Sequence, residues 1–194
     1  MKGDKAMDTI NIVLCGLGGQ GILFMTKVLA EDALRRKIPV LGAETHGMAQ
    51  RGGSVVSHLR MGNAKSSLVS SGQARFLLAL DPWEAYRNLP FLAPGGFLFA
   101  NAPEGGGPAE EVKIYLDKLG VETRITDAGM LARKIGAPLS TNLALLGFFS
   151  SFSDGGPFSH EGLHETISLI SPERFRETNL KVFEAGFEQG AKRS

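Results

Sequence analysis

A single cysteine, Cys15, in 194 residues excludes an internal disulfide and cannot supply the four thiolates of an iron–sulfur cluster. Any redox metal that serves this chain therefore sits on another chain. Neither sign of charge dominates, with 21 Lys and Arg against 20 Asp and Glu, and no long run of either occurs. That balance excludes a basic nucleic-acid stripe and a polybasic membrane patch. No segment reaches about 18 uninterrupted apolar residues, and the opening "MKGDKAMDT" has no apolar signal region. The expectation is a cytoplasmic chain with no nucleic-acid or membrane partner. Repeats and low-complexity tracts are also missing. What is present is an ordinary globular composition, 43% hydrophobic and 21% charged, in one domain over 1–194 with 1–9 as a flexible tail.

Hydrophobic periodicity predicts an α/β fold. "INIVLC" is a continuous β-rich run of the kind buried on both faces of a parallel sheet. From Gln20 to Arg36, Ile22, Met25, Val28, Leu29 and Leu34 recur at helical spacing. Strands follow at "IPVLGAE", "VVSHLRM", "ARFLLAL", "GFLFAN" and "VETRIT". Between them lie a helix at "DPWEAYRNLPFL", capped by Asp81 with Pro82 first, and another through Val112 and Leu119 to Gly120. "DAGMLARKIG" and "STNLALLGFFSSF" are helical, the second apolar nearly all round. Two helices end the chain, over Ser159 to Ile170 and from Pro172, capped by Ser171, towards Gln189. This order fits a Rossmann-like open, mostly parallel sheet with helices on both faces, whose sites lie at the carboxyl ends of strands.

Two loops meet that rule. Gly16, Gly18 and Gly21 in "CGLGGQGI", with Gly19 and Gln20 between them, fit G-x-G-x-x-G, and Glu44 follows roughly twenty residues on, where an acid would meet a ribose hydroxyl. A nicotinamide dinucleotide site is one reading; glycines serving only close strand–helix packing is the other. Downstream, "ETHGMAQRGGSV" gathers Glu44, His46, Gln50 and Arg51 beside Gly52, Gly53 and Ser54. That is either an anion-binding backbone nest with a guanidinium next to it, or a solvated loop. Asn142 reaches the site from a helix start or serves as a cap.

Other residues read as structural. "HEGLH", His160 to His164, matches the zinc pattern H-E-x-x-H, but His160 falls in a fraying first turn and Gly162 weakens the helix by about 1 kcal/mol. His58 reads as a hydrogen-bonded strand residue, Cys15 as a small core residue and Trp83 as a helix–sheet anchor.

"GLGGQGI", "ETHGMAQRGGSVVSHLR", "DPWEAYRNLPFLAPGGFLFAN", "STNLALLG" and "NLKVFEAGFEQG" together resemble the gamma-type subunit of 2-oxoacid:ferredoxin oxidoreductases, and among these most resemble the indolepyruvate type. The resemblance implies oxidative decarboxylation of a 2-oxoacid with coenzyme A and oxidised ferredoxin, through thiamine diphosphate, Mg and iron–sulfur clusters. This chain has no "GDG"-type thiamine motif; the nearest string is "SDGG" at Ser153. Those groups then ride on a partner subunit, which also deals with ferredoxin, and no catalytic residue or metal site falls on this chain. Its contribution is the crevice between "GLGGQG" and "ETHGMAQRGGS", meeting coenzyme A or the partner. "ALLGFFSSF" with Phe175, Val182, Phe183 and Phe187 offers surplus apolar area, read as an interface for the partner or for a homodimer.

Overall fold

Strand β1, Ile10–Leu17, turns Ile12 and Leu14 into one hydrophobic core and Val13 and Cys15 into another, which accounts for its unbroken apolar run. The computed structural model describes residues 8–47, 52–152 and 157–192, so the expected tail falls outside the described residues apart from Asp8 and Thr9. After β1 come α1 (Ile22–Arg35), β2 (Val40–His46), β3 (Ser54–Met61), β4 (Ala74–Ala79) and α2 (Pro82–Asn88). Then follow β5 (Leu92–Asn101), α3 (Glu110–Lys118), β6 (Glu122–Thr126) and α4 (Ala128–Lys134). Helices α5 (Thr141–Ser150), α6 (His160–Ile170) and α7 (Glu173–Ala191) finish the chain.

The six strands form one sheet in the order β2-β3-β1-β4-β5-β6. Strands β1, β4, β5 and β6 run parallel, while β3 is antiparallel to both β1 and β2. The expected open, mostly parallel sheet with helices on both faces is therefore observed, with β3 reversed. A parallel return needs a crossover of about a dozen residues or more. The stretch between His46 and Ser54 is shorter, so β2 and β3 close as a hairpin and β2 is left at the sheet edge, largely exposed.

Helices cover the two faces unequally. Helices α1, α4, α5, α6 and α7 contribute to the larger core, built on Ile12, Leu14, Leu59, Phe76, Leu78 and Phe99. Val13, Cys15, Leu77, Ala79, Leu98 and Ala100 back onto α2 and α3. Every residue of α5 from Asn142 to Ser150 is buried. The expectation that "ALLGFFSSF", Val182 and Phe183 form an intermolecular surface is thus corrected. Val182 and Phe183 are wholly buried, and α7 seals α5 so closely that a Cβ on Gly147 would overlap the Phe183 carbonyl oxygen. Of that group Phe175 is the exposed member, at 48%.

Local signals behave as read at most helix ends. Asp81 accepts from the Trp83 and Glu84 amides at 2.9 and 3.1 Å, and Ser159 accepts from Gly162 at 3.1 Å. Ser171 does not cap α7; Pro172 takes the cap position and the Ser171 hydroxyl accepts from Asn179 Nδ2 at 3.0 Å. Trp83 is not an anchor, because α2 buries Glu84, Ala85 and Asn88 and leaves the indole 70% exposed.

Candidate functional site

Parallel strands bring β1, β4, β5 and β6 to a common carboxyl edge, and the reversed β3 brings its first residue, Ser54, to that edge as well. There the glycine turn leaves β1. The Leu17 amide donates to Gln20 Oε1 at 2.7 Å, and the Gln20 amide donates to the Leu17 carbonyl at 3.1 Å. Gly19 and Gly21 have φ of 95° and 84°, conformations that favour glycine. A Cβ on Gly16 would lie 2.6 Å from Gln20 Oε1, and one on Gly21 2.5 Å from Asn142 Nδ2. Buried Asn142 donates from Nδ2 to the Gly21 carbonyl at 3.2 Å, so it reaches the turn as a strut and makes no side-chain cap.

Gly18 is tied to the second loop. Its amide donates to the Gly53 carbonyl at 2.8 Å, and a Cβ there would meet the Gly52–Gly53 backbone at 3.6 to 3.8 Å. One amide donor that an anion would use is thus engaged by the chain's own backbone. Glu44 is also misplaced for a ribose. It sits inside β2 opposite Ser57, with β3 between it and β1, and is exposed. The expectation that Glu44 stands where the second strand leaves the sheet at its carboxyl end is corrected; it lies instead two residues inside β2, with β3 between it and the glycine turn. His46 ends β2 opposite Val55 and is exposed too. Gln50, Arg51 and the "SDGG" at Ser153 lie outside the described residues.

Sequence reasoning missed Glu84. Its carboxylate is 1% exposed; Oε2 accepts from the Ser54 hydroxyl at 2.6 Å and Oε1 from Arg87 at 2.6 Å, while Arg87 itself is 70% exposed. In the sequence, Asp81 and Glu84 look like an ordinary acidic helix start, and nothing local marks Glu84 as buried. Burial first, then the charges of Glu84 and Asp81, push the Cys15 thiol far above the usual range, which removes it as a nucleophile. Further along the same edge, a cavity of about 310 Å³ lies between the 102–107 loop, Thr126, Asp127 and Met130.

"HEGLH" serves another purpose. His160 begins α6, its Nε2 lies 3.0 Å from both Glu184 carboxylate oxygens, and its ring packs on Phe187 at 3.9 Å. His164 lies 3.6 Å from the same carboxylate. These contacts bind α6 to α7, and among the described residues no group of three His, Cys, Asp or Glu is arranged to hold a metal ion.

The sequence profile described as Pyruvate ferredoxin/flavodoxin oxidoreductase matches residues 11–189. The chain belongs to that family. Indolepyruvate oxidoreductase subunit IorB of Methanothermobacter thermautotrophicus is 34% identical over 188 residues, covering 91% of this chain and 95% of the relative. The 2-oxoglutarate synthase subunit KorC of Archaeoglobus fulgidus is 25% identical, covering 93% of this chain and 88% of that one. A solved keto/oxoacid ferredoxin oxidoreductase gamma subunit from Geobacter sulfurreducens has the same fold, with a TM-score of 0.73 at 23% identity, covering 94% of this chain and 99% of that chain. In the 2-oxoglutarate:ferredoxin oxidoreductase of Magnetococcus marinus the fold occupies 32% of a longer chain, with a TM-score of 0.76 at 21% identity and 98% of this chain covered. As a member of this oxidoreductase family, the chain has no support for the free-standing dinucleotide or zinc-hydrolase readings.

Proposed function

We propose that this chain is the gamma-type subunit of a 2-oxoacid:ferredoxin oxidoreductase of the indolepyruvate type, acting in the cytoplasm. The 34% identity to an IorB subunit along nearly the full length of both chains carries the reading. Complexes of this kind convert a 2-oxoacid and coenzyme A to an acyl-CoA and carbon dioxide, with ferredoxin as the electron acceptor. With one cysteine, buried, and no thiamine motif, the residues of this chain do not fit a cluster or thiamine diphosphate. Those groups, with Mg, belong on a partner subunit, and this chain is inactive without it.

The carboxyl-edge crevice is where this chain meets the partner or coenzyme A. The proposed surface comprises Gly16, Gly18, Gly19, Gln20 and Gly21 with Gly52, Gly53 and Ser54, which the Gly18–Gly53 hydrogen bond joins. That bond closes the turn on the chain's own backbone, a surface better matched to a protein partner than to a resident dinucleotide.

Co-expression with the partner subunit and assay against a panel of 2-oxoacids tests the reading. Turnover is expected only from the complex, and best with an aryl-substituted 2-oxoacid; turnover by this chain alone overturns it. Arg51→Ala in the reconstituted complex should weaken assembly or raise the KM for coenzyme A. Unchanged assembly and KM would remove that residue and its loop from the site.

A further inference from the structure

Glu84 is a buried carboxylate whose charge the proposed chemistry does not use. Removing a carboxylate from water is costly, and a well-packed apolar residue of similar size is often no worse for stability. Its two contacts show what it holds. Through Oε2 it takes the Ser54 hydroxyl at 2.6 Å, and through Oε1 it takes Arg87, one turn along α2, at 2.6 Å. The guanidinium, 70% exposed, brings a compensating charge without itself being buried. Ser54 is held a second time, since its carbonyl accepts from the Gly47 amide at 2.7 Å. It directly follows Gly53, whose carbonyl accepts from Gly18. A chain of contacts thus runs from α2 through Ser54 and Gly53 to the glycine turn.

Glycine backbone makes this chain necessary. Gly52 has a φ of 67°, and Gly52 and Gly53 carry no side chains with which to anchor themselves. Among the described residues, Gly53 is held against Gly18 by that backbone hydrogen bond and through Ser54, which pairs with Leu17 across β1 and β3. Helix α2 supplies a rigid reference, because Asp81 caps its first turn and the Asn88 side chain donates to the Glu84 carbonyl at 2.8 Å.

We propose that Glu84 is a positioning residue of the crevice: through Ser54 it holds the Gly52–Gly53 backbone against Gly18 and so sets the surface presented to the partner subunit and coenzyme A. The proposal rests on the functional reading of the crevice given above.

The test combines hydrogen exchange of the full chain, read at the Gly18 amide, with kinetics of the reconstituted complex. Ser54→Ala and Glu84→Leu should speed Gly18 exchange at least tenfold while the amides of β4 and β5 keep their protection. Ser54→Thr, which retains the hydroxyl, should restore it. In the complex the same two variants should raise the KM for coenzyme A or the Kd for the partner about tenfold, with kcat changed less than twofold. Unaltered Gly18 exchange in Ser54→Ala overturns the proposal, as does exchange that rises uniformly across the sheet, which marks a purely structural role. Faster Gly18 exchange with unchanged KM and Kd upholds the positioning and overturns instead the reading of the crevice as the functional surface.

Discussion

Gly16, Gly18 and Gly21 look equivalent as letters in a motif, yet their surroundings differ. A methyl on Gly21 would strike Asn142 at 2.5 Å on a backbone of φ 84°, so Gly21→Ala should destabilise the fold by about 2 kcal/mol or more. A methyl on Gly18 meets only ordinary contacts at 3.6 Å and beyond, on a backbone outside the positive-φ region, so Gly18→Ala should cost less than about 1 kcal/mol. Denaturant melts of the two variants compare them directly. His58 supplies a second prediction. Burial holds its pKa below the ordinary histidine value, and its Nδ1 accepts from the Val69 amide at 3.3 Å. The unfolded chain takes up a proton below about pH 6.5 while the folded chain resists it. Stability is therefore fully present above that pH and is lost as the pH falls through the folded-state value. Calorimetry between about pH 7.5 and about pH 5.5 should show a falling Tm for the parent and a shallower fall for His58→Gln; equal slopes would contradict this.

At the scale of elements, α5 and α7 pack backbone against backbone. Gly147 faces the Phe183 carbonyl, and a Cβ on Gly186 would overlap the carbonyl of Ala144, so the backbones touch where side chains normally intervene. In an exposed helix, Gly→Ala stabilises by about 1 kcal/mol. Here the sign reverses, and Gly147→Ala or Gly186→Ala should cost about 3 kcal/mol through overpacking, measurable by urea unfolding. A gain in stability from either would show that the helices part easily. This pairing also explains why the apolar surplus of α5 is no interface: a helix apolar all round needs cover on every side, and α7 provides it within the chain.

For the whole molecule, the edge strand β2 is the least covered part of the sheet among the described residues. No helix among the described residues is long and apolar enough to cross a membrane. A chain with one buried cysteine should purify without cluster absorbance, and 2-oxoacid turnover should appear only on addition of the partner subunit. Visible spectra and steady-state assays of the chain alone and of the complex check this together.

The alternation of strands and helices, the caps at Asp81 and Ser159, the all-round apolar character of α5 and the family were legible in the chain, because each rests on local spacing or on long motifs. Tertiary structure alone decided what those pieces meet. The hairpin that inserts β3 beside β1 carries Glu44 away from the glycine turn, and no local pattern specifies which strand a hairpin pairs with. The burial of Glu84 and the exposure of Trp83 follow from which side of a short helix faces the sheet. In a helix of seven residues with acid and aromatic neighbours, the periodicity is too brief to reveal that side.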